Sequence, residues 1–152
     1  MNNLGYACIN QGFSTLPKSQ RITTNRTMIK RTFHDRGIEY AAELALQNLR
    51  DLYTILEWNL QHDIYFYRLS SNIIPWASEY DLVDMPNFGA IHAAALKAGN
   101  FARKHGMRLT SHPGPFNKLA SPKERVFELT KTDLSVHGDL FDLIGLPHTP
   151  YA

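Results

Sequence analysis

Cysteine is almost absent. Cys8 stands alone in 152 residues, so neither a disulfide framework nor a cysteine-based zinc site can be built from this chain. Any metal must rest on histidine, aspartate or glutamate. No run of about 18 apolar residues occurs, which excludes a membrane-spanning helix. The opening MNNLGYACINQ lacks the charged-then-apolar layout of an export signal, so the expected compartment is cytoplasmic. Acidic residues are scarce in one place only. Residues 1 to 37 hold six bases (Lys18, Arg21, Arg26, Lys30, Arg31, Arg36) and a single acid, Asp35, a local charge of +5. The remainder of the chain carries −3, so the overall +2 conceals a basic N-terminal stretch. A polyanion would suit such a patch, and so would plain water; charge alone does not choose.

With 43% hydrophobic and 20% charged residues, the composition is that of one globular domain. Short β-compatible runs alternate with helical patterns. Strands are expected near residues 3 to 9, 64 to 69 and 107 to 111, where β-branched, aromatic and aliphatic residues cluster between turn formers. A long polar loop is expected from Asn10 to about Asp35. The helix expected over 37 to 61 carries Ile38, Ala41, Ala45, Leu49, Leu52, Tyr53, Leu56 and Leu60 on one stripe. A second, over 87 to 105, follows Pro86 and ends at Gly106, placed for a left-handed cap. The third, over 121 to 144, opens on Ser121 and Glu124 with capping-box spacing, presents Val126, Leu129, Val136, Leu140 and Leu143, and closes at Gly145, Leu146 and Pro147.

That order, three βα units in succession, implies parallel strands joined by helical crossovers. An open doubly wound sheet and a (β/α)₈ barrel both begin this way. Because a barrel needs about 250 residues and a fourth strand should start where this chain stops, the sequence reads as an α/β chain with the first three units of a TIM-barrel type (β/α)₈ fold. In either architecture chemistry gathers at the C-terminal ends of the strands, here Asn10 with Gln11, residues 70 to 79, and residues 112 to 117. His112 directly follows a strand and is placed to act as a metal ligand or acid-base group, or to hold the turn by hydrogen bonding. The other six histidines show neither HxxxH nor HxH spacing and read as surface or packing residues.

The strings LGYACIN, TTNRT, RGIEYAAELALQNLRDLYTILEWN, FYRLSS, IPWASEYDL and RLTSHPGPFNKLASP resemble the ultraviolet damage endonuclease (UvdE) family along almost the whole chain. The resemblance implies residues 1 to 152 as the N-terminal portion of a single TIM-barrel endonuclease domain. It implies divalent ions, manganese in particular, as cofactor. The implied activity is DNA repair: incision 5′ to ultraviolet photoproducts or abasic lesions in double-stranded DNA, with no membrane partner. Tyr6 and Asn10 match the residues that hold flipped-out nucleotides in that family, and Arg21, Arg26, Lys30 and Arg31 would contact phosphates. His112 matches a metal-binding histidine, and Glu79 falls near another metal-side position. Pro115 and Phe116 stand where the family commonly has glutamine followed by an aromatic wedge; the ring is kept and the amide is lost. The remaining ligands implied by the resemblance belong to a C-terminal half that this chain does not contain. Two other readings accompany this one: a DNA-binding remnant without catalysis, and a metal-dependent sugar isomerase-like barrel, against which the basic loop counts.

Overall fold

The structure is a computed structural model that describes residues 4 to 146. Three strands, β1 (Gly5–Ala7), β2 (Phe66–Leu69) and β3 (Arg108–Ser111), form one sheet in the order β1-β2-β3. Both pairings are parallel, with Gly5 opposite Phe66 and Phe66 opposite Arg108. The helices are α1 (Gln11–Ser14), α2 (Lys30–Gln61), α3 (Phe88–Lys104) and α4 (Glu124–Ile144). Parallel neighbours require crossover connections, and α2 and α3 supply them. The parallel α/β order expected from the sequence is therefore present; closure into an eight-stranded barrel goes beyond these three strands.

The core is aliphatic. Ala45, Leu49, Leu52, Ile55 and Leu56 of α2, Ile91, Ala95, Ala98 and Ala102 of α3, and Leu140, Leu143 and Ile144 of α4 join Tyr67, Leu69 and Leu109 of the sheet in one buried cluster. α2 packs on α3, and α3 on α4. At the second of these contacts Gly99 is buried against Ile144, and a methyl group there would overlap the Ile144 carbonyl oxygen. Since backbone cannot rotate away as a side chain can, Gly99→Ala is expected to destabilise the chain by about 3 kcal/mol, the upper end for overpacked cores. A denaturant midpoint unchanged from the parent would overturn this.

Several boundaries differ from the sequence expectation, each for a local reason. The first strand ends at Ala7 because Cys8 adopts a left-handed backbone, φ +61. The polar loop expected from Asn10 to Asp35 is interrupted by α1, which Asn10 caps, and by a 3₁₀ turn at Lys18–Gln20. Helix begins at Lys30 rather than 37. Phe33 stacks on Trp76 with centroids 5.2 Å apart and planes 7° from parallel, which docks this extra segment. Gly37, at φ +65 and ψ −163, breaks the two helical pieces apart, as only glycine does without strain. α3 starts at Phe88, two residues beyond Pro86, after Asn87 at φ +59. Gly106 takes the left-handed conformation expected at the end of α3, and Gly145 takes it at the end of α4. The expected capping box does not form. Ser121 Oγ accepts from the Lys123 amide at 3.2 Å, two residues on, and α4 starts at Glu124 without a side-chain cap. Leu129, assigned to the apolar face, is 62% exposed, while Thr130 and His137 are buried. Pro147 and His148 lie outside the described residues.

Candidate nucleic-acid interface

The C-terminal ends of β1 and β2 are roofed by the TTNRT string. The Tyr67 hydroxyl donates to the Cys8 carbonyl at 3.0 Å, which leaves Thr24 Oγ1, 3.2 Å away, to donate to the Tyr67 oxygen. Asn25 Nδ2 also donates to the Cys8 carbonyl at 3.0 Å, and Ser70 Oγ donates to the Thr24 carbonyl at 2.9 Å. Burial pushes the Tyr67 phenol well above its ordinary value, so it stays protonated as the donor this arrangement requires. From α2, Asp51 accepts from the Thr23 amide at 2.9 Å. Asn48 accepts from the Arg26 amide at 3.1 Å and donates to the carbonyls of Arg26 and Ile73 at 2.9 and 3.0 Å. The basic stretch is thus tied to the rim of the sheet rather than trailing from it.

The four basic residues singled out from sequence separate into two kinds. Arg26 pairs with Asp51 at 2.7 Å and donates to the carbonyls of Thr23 and Arg21 at 2.7 and 2.8 Å, with its side chain only 25% exposed. Its guanidinium holds the loop together. Arg21, Lys30 and Arg31 are exposed; Arg31 approaches only Asp35, at 3.8 Å across two exposed side chains, a weak attraction.

Tyr6 and Asn10 are brought into contact. Asn10 Nδ2 donates to the Tyr6 hydroxyl at 2.7 Å, and that hydroxyl donates to Asn59 Oδ1 at 2.6 Å. Asn10 is buried, and its Oδ1 caps α1 by accepting from the Phe13 amide at 3.3 Å. Burial raises the Tyr6 phenol above its ordinary value despite these bonds. Asn59, which sequence reasoning did not single out, is therefore the third member of this group. Its position among the apolar residues of α2 was the available signal, because a buried amide demands partners.

At the end of β3, His112 is exposed and its amide donates to the Leu69 carbonyl at 3.0 Å. Pro115 is exposed beside it, and Phe116 is 86% exposed. Glu79 is exposed in a 3₁₀ turn and lines, with Phe116, Asn117 and Asp133, a cavity of about 1140 Å³. A smaller cavity of about 340 Å³ joins Thr27 and Met28 to Asn72, Trp76 and Asp133, so the basic loop, the loop after β2 and α4 meet around it. Among the described residues no three His, Cys, Asp or Glu side chains converge as a metal site. His112 and Glu79 do not by themselves make a metal centre.

The model of UV-endonuclease UvdE matches residues 2 to 152. The chain belongs to the UvdE family. It is 36% identical over 149 residues to an Acanthamoeba polyphaga mimivirus protein assigned as a UV-damage endonuclease, covering 93% of this chain and 42% of that one. It is 34% identical over 143 residues to the UV-damage endonuclease of Schizosaccharomyces pombe, covering 94% of this chain and 23% of that one. The crystal structure of SacUVDE superposes with a TM-score of 0.78 at 29% identity, over 93% of this chain and 45% of that chain. The chain thus spans less than half the length of each of these UvdE relatives.

Proposed function

We propose that this chain is the DNA-engaging N-terminal part of a DNA repair endonuclease, its three βα units being the first of a (β/α)₈ barrel. The substrate is double-stranded DNA with ultraviolet photoproducts or abasic lesions, incised on the 5′ side. The relatives' names support the endonuclease class. The observation that carries the DNA reading is Phe116: an aromatic ring 86% exposed at the tip of a loop, in a chain whose Arg21, Lys30 and Arg31 are exposed as well. Such a ring can stack on bases or fill the gap that extruded nucleotides leave, while the basic residues contact phosphates without reading sequence. In this arrangement the Tyr6, Asn10 and Asn59 group shapes the floor beneath an extruded nucleotide. Pro115, without a side-chain donor, leaves damage probing to the ring. Manganese would take His112 and Glu79 as part of a ligand set completed by residues other than these.

Binding to a duplex with one abasic-site analogue, compared with the intact duplex at fixed salt, tests the reading. The protein is expected to prefer the lesion, and Phe116→Ala to reduce that preference about tenfold, within the 1–3 kcal/mol typical of base stacking on an aromatic ring. Equal affinity of the unaltered protein for both duplexes would overturn it. A second reading, DNA binding without hydrolysis, is favoured by one observation: the described residues alone assemble no metal centre. Nicking of irradiated plasmid with added manganese separates the two. The family assignment favours DNA over the sugar isomerase alternative.

A further inference from the structure

Three side chains on one face of α4 hold the loop between β3 and α4. Thr130, Asp133 and His137 are spaced three and four residues apart, so they form a single stripe. Thr130 Oγ1 accepts from the Lys118 amide at 2.9 Å, and its own proton goes to the Val126 carbonyl at 2.8 Å. Asp133 Oδ2 accepts from Asn117 Nδ2 at 2.5 Å, and the same Asn117 nitrogen lies 3.1 Å from the Gly114 carbonyl. His137 Nδ1 shares a 2.5 Å hydrogen bond with Ser111 Oγ. The bonded residues, Ser111 on one side and Asn117 with Lys118 on the other, bracket residues 112 to 116.

This stripe is unusual in its burial. Thr130 is 2% and His137 6% exposed, on a helix whose last turns bury Leu140, Leu143 and Ile144. Polar groups in such positions are unfavourable unless bonded, and no described buried side-chain polar atom lacks a partner. α4 is accordingly divided into an apolar end that packs on α3 and a polar end whose bonds reach the loop, the last residue of β3 or its own helix. Between the brackets, Pro113 and Pro115 restrict the backbone further, while His112 and Phe116 face solvent.

We infer that Thr130, Asp133 and His137 are positioning residues that hold the loop bearing His112 and Phe116 in its DNA-ready shape. A loop ordered in advance loses less conformational entropy when it engages its target. The inference rests on the proposed function for its consequence in DNA recognition, while the fastening itself belongs to the fold.

Two measurements on the same variants test it. Amide hydrogen exchange at Lys118 and Asn117 reads the fastening directly; Thr130→Val, of nearly the same shape, and Asp133→Ala are each expected to speed local exchange about tenfold. Affinity for the abasic-analogue duplex relative to intact duplex reads the consequence. Asp133→Ala is expected to lower that ratio to the level of Phe116→Ala, with intact-duplex affinity within about twofold of the parent. Asp133→Asn should retain most of the preference, since its amide oxygen still accepts from Asn117. Unchanged exchange in both variants would overturn the inference. So would a preserved lesion ratio in Asp133→Ala, or equal losses in Asp133→Asn and Asp133→Ala, which would mean charge and not positioning. If the unaltered protein shows no lesion preference, the functional reading fails, while the exchange rates still decide the fastening.

Discussion

Neutralising Arg21, Lys30 and Arg31 together is expected to lower affinity for intact duplex by roughly 10²–10³-fold at 0.1 M salt. Each phosphate contact releases counterions and contributes about 0.9 to the slope of log affinity against log salt, so three lost contacts should make that slope shallower by about 2.7. Arg26 provides the contrast. Its guanidinium already has a carboxylate and two carbonyl oxygens, so Arg26→Met should leave the slope nearly unchanged and instead lower stability by about 2 kcal/mol, the usual range for bonds to charged groups. Titrations at several salt concentrations separate the two classes. A slope unaffected by the triple substitution would remove the basic stretch from the interface; a slope made shallower by Arg26→Met would mean its ion pair opens to receive phosphate.

What could be read from sequence follows a physical division. α2 and α3 were legible because aliphatic side chains at helical spacing have one favourable place to go, and Leu49, Leu52, Ile91 and Ala98 are fully buried. The strands were legible by composition. The polar end of α4 was not. There a strict apolar stripe would include Leu129, yet Thr130 takes the inward position because the neighbouring surface is a loop with amide donors and not more core. Periodicity reports hydrophobic neighbours and is silent about polar ones. The same limit applies to Arg26, which reads as a phosphate contact by charge until Asp51, 25 residues along the chain, is seen beside it. Tyr6 and Asn10 were singled out through family resemblance. Their mutual hydrogen bond and the link to Asn59 come from chain folding that brings α2 beneath the end of β1. The Ser121 and Glu124 capping pattern had the right spacing and failed because a nearer amide, Lys123, was reached first.

Asn48 offers the largest stability effect of a single substitution. Its side chain is fully buried and makes three hydrogen bonds: one accepted from the Arg26 amide, and two donated to the carbonyls of Arg26 and Ile73. Asn48→Leu keeps the number and branching of the side-chain heavy atoms, so no cavity forms, but it leaves the Arg26 amide and the carbonyls of Arg26 and Ile73 without those partners beside a fully buried side chain. An orphaned buried group costs about 1–3 kcal/mol, and carbonyls are somewhat more tolerant than amides; the sum is about 4 kcal/mol. That is a large part of the 5–15 kcal/mol typical of a whole domain. At a denaturant slope of about 2 kcal/mol per molar urea, the midpoint should fall by about 2 M. The loss should also be uneven. Because Asn48 joins the roof loop to the turn after β2, amides at Thr23 and Arg26 should gain exchange before those of Leu69 and Leu109 in the sheet. A midpoint shift below about 0.5 M would show that water or a rearranged loop satisfies the freed groups. Uniform exchange across roof and sheet would show instead that Asn48 stabilises the domain as a whole, with the roof having no separate mode of opening.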